Sequence, residues 1–443
     1  MNITGSGVVA MRKQLLARIH SRKACIAVIG LGYVGLPLAL GFAAKGFKTF
    51  GIDTNPERVR HLLDGTSFIT DVSDAAVAGP VRKGLFVPTL DASLIRGCQV
   101  VIICVPTPIK RRYTPDISFM LSAVRAVTKN LARGTLVVLE STTYPGTTEE
   151  LILPELEKSG LKAGKDFFLA FSPERIDPGN ASHTVTRIPK VIGGLTPACN
   201  ELTAALYGSI IKQVHLVSSP RAAEMAKLLE NTFRLINIGW VNEAAMMCKA
   251  FNIDIWEAID AASTKPFGFM PFYPGLGVGG HCIPEDPIYL YWKAKQHGYA
   301  SRFIKLSADI NASMPGYAAE RIGAILKGRG KTLAGARVLV LGVTYKKDVK
   351  DLRKSPSIKL IESLRRHGAE VVFYDPLVAY LSIDGLKLDG IALTPKAVAV
   401  QDCVAVAVDH SGVDYSMVLK QAKAVFDIRN VYRGKASPKI TKL

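Results

Sequence analysis

The 443-residue chain is notable first for what it has little of. No apolar run reaches the length a membrane-crossing helix needs, so a helical membrane protein is excluded. Its first 23 residues hold no acid and five basic residues, and their apolar piece, GVVAM, is too short for a signal-peptide core. They read as a basic extension, either frayed or folded into a short amphipathic helix. Cysteine is sparse: seven residues, odd in number, scattered, with no C-x-x-C spacing. That argues against a disulfide framework and against a zinc or other metal site, and for a reducing cytoplasm. Acids are outnumbered, 37 against 56 Lys+Arg, for a net charge of +19. The basic residues form no stripe interleaved with aromatics, so nucleic acid is not the expected partner. An anionic cofactor with an anionic small substrate is the more economical reading.

About half of the residues are apolar, enough for a large core in two or three domains. ACIAVI reads as a buried parallel strand, followed by GLGYVG, a helix-like LPLALGFAAKG and a second strand ending at Asp53, which makes a βαβ unit. Further strand-like runs at 98–106, 135–141 and 166–174 alternate with helical segments such as 117–132, the mark of a doubly wound parallel sheet. From Pro220 the pattern changes to some thirty residues without proline. As one helix these would run roughly 45–50 Å, a strut between domains or a dimer interface, with Gly239 as its weak point. Near 335 the alternation resumes. Gly368 precedes Asp375 by the same interval as Gly46 precedes Asp53, so the second unit repeats the first design, with GVTYKKD in place of the glycine turn and a different anionic ligand. The expected fold class is α/β: two Rossmann-like doubly wound parallel-sheet domains joined by a long central helix. The expected divisions are 1–23 (extension), 24–218, 219–325 (central helix and cysteine loop) and 326–443.

Gly30, Gly32 and Gly35 form G-x-G-x-x-G directly after a strand and at the start of a helix, with Asp53 ending the next strand. In that context the glycines permit a tight turn and close approach of a pyrophosphate to the helix N-terminus, and Asp53 accepts from ribose hydroxyls and repels a 2′-phosphate. The expected cofactor is NAD. Arg58 is a candidate for the cofactor phosphates or a plain surface arginine.

PGLGVGGHCIPEDP, residues 274–287, delivers one thiol, Cys282, beside Glu285 and Asp286 through a glycine-rich loop that would lie against a bulky substrate. A cysteine near cations is a nucleophile. A thiol adds to an aldehyde, hydride loss gives a thioester, and water releases an acid, so cysteine with NAD suits oxidation to the carboxylate level. Asp286 could position a water or a hydroxyl, and His281 could be a base. The alternative is a structural cysteine in a loop. Lys227, Asn231 and Arg234 share one face of the long helix, where Lys227 would stabilise an oxyanion or would be simply a solvated lysine.

At this point the motifs match a family. GLGYVGLPLA, ESTTYPGTT, FSPERIDPGN, AKLLENTFR, GVGGHCIPEDP and GVTYKKDVKDLRKSPS occur in the order found in the nucleotide-sugar 6-dehydrogenases, and the resemblance runs from about 24 to 432. It implies an NAD-binding N-terminal domain, a long central helix carrying a homodimer contact, a C-terminal UDP-binding domain, and oxidation of a sugar C6 alcohol to a carboxylate in the cytoplasm. It further implies Cys282 as nucleophile and Lys227 with Asp286 for the alcohol proton and oxyanion. Glu174 would serve thioester hydrolysis, Asn231 would support the oxyanion, and Thr142 would help hold water and cofactor. Tyr33, Val34 and Thr107 join the cofactor contacts. Arg175, Asn231, Arg234, Gly279, Lys346, Arg353 and Arg429 match substrate contacts. Pro178 stands where the UDP-glucose branch has a second glutamate, and SPERxxPG resembles the branch acting on N-acetylated sugars, so the implied substrate is UDP-N-acetylglucosamine, ahead of the mannosamine and galactosamine epimers, in surface-polysaccharide synthesis. Glu285 stands where an apolar residue is more usual. Two other classes stay in view: a single-hydride dehydrogenase of the 3-hydroxyacid type, and an NAD-sensing regulator without turnover.

Overall fold

A computed structural model describes residues 4–69, 72–110, 114–175, 188–383 and 385–443. The Pro178 reading lies outside the described residues. The chain divides into two compact units, 1–230 with 292–298, and 231–291 with 299–443. Two of the boundaries fall inside helices, Pro220–Ala250 and Asp286–Gln296.

The first unit holds an eight-stranded sheet. Its strands are β1 (Ile26–Ile29), β2 (Thr49–Ile52), β3 (Phe86–Thr89), β4 (Val100–Ile103), β5 (Leu136–Leu139), β6 (Phe168–Phe171), β7 (Lys190–Gly194) and β8 (Val214–Val217), in the order β8-β7-β6-β5-β4-β1-β2-β3. All neighbours pair in parallel except β6 and β7, which run antiparallel. β1, β4, β5 and β6 are buried at every position, as expected of central parallel strands covered on both faces. Helix α1 (Thr4–His20) settles the reading of the N-terminal extension. Leu15 and Ile19, one turn apart, are buried in the main core of the unit, and Arg12 pairs with Glu201 at 3.0 Å. Burying two such side chains contributes about 1.5–3 kcal/mol each, so the extension is a docked amphipathic helix. Helices α2 (Gly35–Ala44), α3 (Pro56–Leu63), α4 (Ser118–Asn130) and α5 (Pro197–Tyr207) complete what positions the site.

Helix α6 (Pro220–Ala250) is unbroken over 31 residues, about 46 Å at the usual rise. Near its start Glu224 is fully buried and accepts from the amides of Gly146 (2.6 Å) and Thr148 (2.9 Å) and from the Thr148 hydroxyl (2.6 Å). Burial pushes its carboxyl up from 4.5 to about 7. The folded-state value lies above the unfolded one, so the stabilisation is complete below about pH 4.5 and is lost as the pH rises through about 7. Between pH 5 and 8 the first unit should lose about 2–3 kcal/mol from this group. Glu224→Gln should flatten that dependence, while costing stability at low pH because an amide NH2 must face the Gly146 N–H. Unfolding midpoints of both proteins across this range check it, and a constant gap between them would remove Glu224 as the titrating group.

The second unit contains α7 (Asp286–Gln296), which begins in it, α8 (Arg302–Lys327) and α9 (Pro356–Arg366), around a five-stranded parallel sheet. Its strands are β9 (Arg337–Leu341), β10 (Glu370–Tyr374), β11 (Cys403–Val406), β12 (Val425–Asp427) and β13 (Ile440–Lys442), ordered β10-β9-β11-β12-β13. Gly239 is a crossing point rather than a weakness: a Cβ there would meet Ser307 Cβ of α8 at 3.0 Å. Below it, Asn242 donates to Asn311 (2.9 Å) and accepts from the Gly275 amide (2.8 Å).

The two sheets repeat one turn. After β1, Gly30 N–H donates to Ile52 O (2.8 Å), Leu31 N–H to Asp53 Oδ2 (2.8 Å) and Asn55 N–H to Asp53 Oδ1 (2.9 Å). After β9, Gly342 N–H donates to Tyr374 O (2.8 Å), Val343 N–H to Asp375 Oδ2 (2.7 Å) and Leu377 N–H to Asp375 Oδ1 (2.8 Å). The duplication visible in the spacing of glycine and aspartate is thus a duplication of hydrogen bonds.

Candidate functional site

In the first unit the glycine turn joins β1 to α2. Gly30 has φ +90° and a Cβ on it would strike Cys104 O at 2.7 Å; on Gly35 it would fall 1.9 Å from Gly30 O; beside Gly32 it meets nothing within 4 Å. Two glycines therefore build the turn, and the third leaves open space next to the start of α2, whose N-cap Val34 provides no side-chain cap. An open cradle at an uncapped helix N-terminus fits the pyrophosphate of a dinucleotide. Tyr33 is exposed and Val34 half-buried in the same turn. Asp53 is buried, with Arg58 of α3 at 3.6 Å, and its carboxylate buttresses the turn through Leu31 and Asn55. Asp53→Ala should therefore weaken any preference for NAD over NADP and also lower NAD affinity. Titration with both dinucleotides checks this; an unchanged ratio would show that Asp53 is not the selector.

Thr107 and Thr142 come together, the Thr107 hydroxyl donating to Thr142 O at 2.7 Å. Glu174, after β6, accepts from the Arg175 amide at 2.6 Å, and the Arg175 guanidinium pairs with Glu230 at 2.6 Å. Lys227, on α6, is buried, only 7% exposed, so it is not a solvated surface lysine. Sequence reasoning missed what lies beneath Glu174. Lys190 Nζ, at the start of β7, stands 2.8 Å from Glu140 and 3.5 Å from Glu174, and the Tyr207 hydroxyl donates to Glu140. The only signal was the first letter of ESTT; its partners lie fifty and more residues away.

In the second unit the cysteine loop is not the flexible arm that its glycines suggest. A Cβ on Gly277 (φ +97°) would strike Asn311 O at 2.2 Å. One on Gly279 would strike Tyr345 Cβ and Pro356 Cδ, each at 2.8 Å, and one on Gly280 (φ +81°) the Tyr345 ring at 2.8 Å. A Cβ on Gly275 would meet Arg429 Nη1 at 2.6 Å. The glycines let the loop lie against the protein itself. Gly280 N–H also donates to Arg353 O at 3.0 Å.

Cys282 is the one exposed cysteine of the seven. Its carbonyl accepts from Glu285 N–H (3.1 Å) and Asp286 N–H (2.8 Å), which sets it immediately before α7. Asp286 opens that helix, is buried, and accepts from Asn231 Nδ2 at 2.5 Å. Glu285 is buried and pairs with Lys354 at 2.5 Å. His281 lies 3.9 Å from Glu285, and burial holds its pKa below the usual value. Arg353 is clamped by Asp351 at 2.6 Å, Arg429 reaches Asp409 at 3.4 Å, Lys346 is half-buried and Arg234 exposed. Thus the structure groups the cofactor turn with Thr107, Thr142, Glu174, Arg175 and Lys227 in one unit. It groups Asn231, Arg234, Cys282 and Asp286 with Gly279, Lys346, Arg353 and Arg429 in the other.

Three family models match: the NAD binding domain of the UDP-glucose/GDP-mannose dehydrogenase family over 24–211, its central domain over 221–313 and its UDP binding domain over 339–434. A UDP-N-acetyl-D-glucosamine 6-dehydrogenase of Pseudomonas aeruginosa is 41% identical over 80% of this chain and 83% of its own. A UDP-N-acetyl-D-mannosamine dehydrogenase of Pyrococcus horikoshii is 34% identical over 92% and 96%. The solved structure of the UDP-D-ManNAc dehydrogenase from P. horikoshii superposes with a TM-score of 0.86 at 34% identity, covering 94% of this chain and 98% of the other.

Proposed function

Because the chain belongs to the UDP-glucose/GDP-mannose dehydrogenase family and is an NAD-dependent UDP-sugar dehydrogenase, we propose that it oxidises the C6 alcohol of UDP-N-acetylglucosamine to the uronic acid. The observation that carries the cysteine route is the single exposed thiol, Cys282, set ahead of the N-terminus of α7 beside the buried Asn231–Asp286 pair. The positive end of a helix favours a thiolate. NAD, held at the turn of Gly30, Gly32 and Gly35, would supply the hydride acceptor for both oxidations of C6. Lys227 and Asp286 handle the alcohol proton and the oxyanion. Cys282 Sγ adds to the aldehyde carbon, Asn231 steadies the resulting alkoxide, and the thioester formed by the second oxidation is opened by water. Glu174 takes the water proton as the C–S bond breaks and the thiolate leaves. In balance, one alcohol, one water and two NAD give one carboxylate, two NADH and three protons. Thr107 and Thr142 hold the cofactor side, and Arg175, Arg234, Gly279, Lys346, Arg353 and Arg429 the UDP-sugar, whose diphosphate suits guanidinium donors. On this reading 24–218 binds NAD, 219–325 carries the cysteine loop and 326–443 binds UDP.

The N-acetylglucosamine choice is supported by the 41% identical relative; the mannosamine dehydrogenase of P. horikoshii makes that epimer the competing substrate. NADH release from UDP-N-acetylglucosamine, its mannosamine and galactosamine epimers and UDP-glucose decides. Two NADH per UDP-N-acetylglucosamine, with the highest kcat/KM, is expected. Faster turnover of the mannosamine compound would overturn the choice, and one NADH per sugar would restore the single-hydride reading. The uronic acid would feed surface-polysaccharide synthesis in the cytoplasm, where Cys282 stays reduced.

We infer a homodimer through α6. Leu229, Phe233, Trp240 and Met247 are all exposed on it and fall within about 40° of one another on a helix of 3.6 residues per turn. Such an apolar stripe needs a cover, and a second copy offers the same stripe. Sedimentation should give a dimer that Trp240→Asp drives to monomer; a monomeric wild type would remove this assignment.

A further inference from the structure

We propose that Lys190, clamped by Glu140 and Tyr207, is a positioning residue for the hydrolytic half of the reaction: its ammonium sets how readily Glu174 takes a proton from water. This rests on the role given to Glu174 above. Three strands of one sheet bring the group together. Glu140 follows β5, Glu174 follows β6 and Lys190 opens β7, in an order that makes β6 the middle strand. The Lys190 and Glu140 side chains are 6% and 0% exposed, and that of Glu174 13%, so the two inner charges are sealed while the outer carboxylate keeps access to solvent. Lys190 Nζ also lies over the Tyr207 ring, 5.0 Å from its centroid.

One ammonium therefore serves two carboxylates. Burial pushes the Glu140 carboxyl up, and Lys190 and the Tyr207 hydroxyl oppose it. Burial pulls Lys190 down, but Glu140 and Glu174 outweigh this and hold it above its ordinary value, so it keeps its charge. Among the described residues, Cys104, after β4, and Tyr207, the last residue of α5, also face the cluster; burial pushes both well above their usual values, so both are neutral. The Arg175 guanidinium is directed to Glu230 and to Pro189 O. Lys190 thus places an ammonium 3.5 Å from Glu174, and Glu140 competes for it. Buried ion pairs are often no more stabilising than packed apolar residues of similar volume, so stability alone does not account for this one.

The water step needs a carboxylate that is ionised, so that it accepts the proton, yet not so stabilised that it refuses it. An opposite charge within 4–6 Å typically moves a carboxylate by one to three pH units. Removing the cation and removing its competitor should therefore shift the same titration in opposite directions, which damage to packing would not do.

The test follows the covalent adduct on Cys282 by intact mass after the enzyme is mixed with NAD and UDP-N-acetylglucosamine, and records the pH dependence of adduct decay. Glu174→Gln should trap the adduct. Lys190→Met should move the acid limb of decay upward by about one unit or more, which slows decay about tenfold at a pH well below the midpoint. Glu140→Gln should move it downward. Should Lys190→Met fold poorly, Lys190→Met combined with Glu140→Gln restores charge balance in the interior and should still show the upward shift. If Glu174→Gln traps adduct but the limb stays in place, or moves the same way in both single variants, the role of Lys190 is overturned and that of Glu174 stands. If Glu174→Gln accumulates no adduct, the role of Glu174 falls and that of Lys190 falls with it.

Discussion

Cys282→Ser is expected to abolish net oxidation, with a loss of roughly a thousandfold or more in kcat, while the binding of NAD and of UDP-sugar persists. The loop carrying the thiol is held by its glycines against Asn311, Tyr345 and Pro356 and by the Gly280–Arg353 hydrogen bond. Exchange of sulfur for oxygen leaves all of these in place. What changes is the attacking atom: a serine hydroxyl is far less acidic than a thiol and a far weaker nucleophile toward an aldehyde carbon. Product analysis should find no uronic acid and no more than one NADH per sugar. Full two-step turnover by the serine variant would take the cysteine out of the mechanism, and loss of both binding activities would show a folding defect instead.

The second large effect separates two glycines three residues apart. Gly35→Ala should lower stability by about 3 kcal/mol or more and eliminate NAD binding, because its Cβ would lie 1.9 Å from the Gly30 carbonyl oxygen, and neither backbone can move without opening the turn. Gly32→Ala meets no protein atom within 4 Å, so its stability should change by less than about 1 kcal/mol. Its NAD affinity should nevertheless fall about tenfold or more, since the added methyl occupies the space that the turn leaves for the pyrophosphate. Thermal unfolding and dinucleotide titration of both variants check this. Wild-type affinity in Gly32→Ala would show that the cofactor does not approach the backbone at that point.

Much of the molecule is legible in the chain because its signals are local. ACIAVI is a buried strand since a run without polar side chains can only be covered on both faces. The glycine turn and Asp53 follow from conformational limits that act within a few residues. The interval from Gly368 to Asp375 repeats that from Gly46 to Asp53 because the same hydrogen bonds close both turns. The long helix is visible because nothing in its thirty-one residues breaks it.

Other features depend on what comes near. Gly239 is a weak position in an isolated helix and a necessary one where Ser307 crosses. The glycines before Cys282 signal freedom in sequence and close packing in space. Glu285, unusual in a loop of this kind, is explained by Lys354, almost seventy residues away.

The residues alone determined the two nucleotide-type sheets and the glycine turn after the first strand, and singled out Cys282 as the candidate thiol, because composition, spacing and backbone sterics operate over short stretches of chain. Tertiary structure decided that the N-terminal helix docks, that the cysteine loop is braced, and that Lys190 stands between Glu140 and Glu174. Those outcomes rest on burial and on charge at a few ångströms, and distance along the chain carries no information about either.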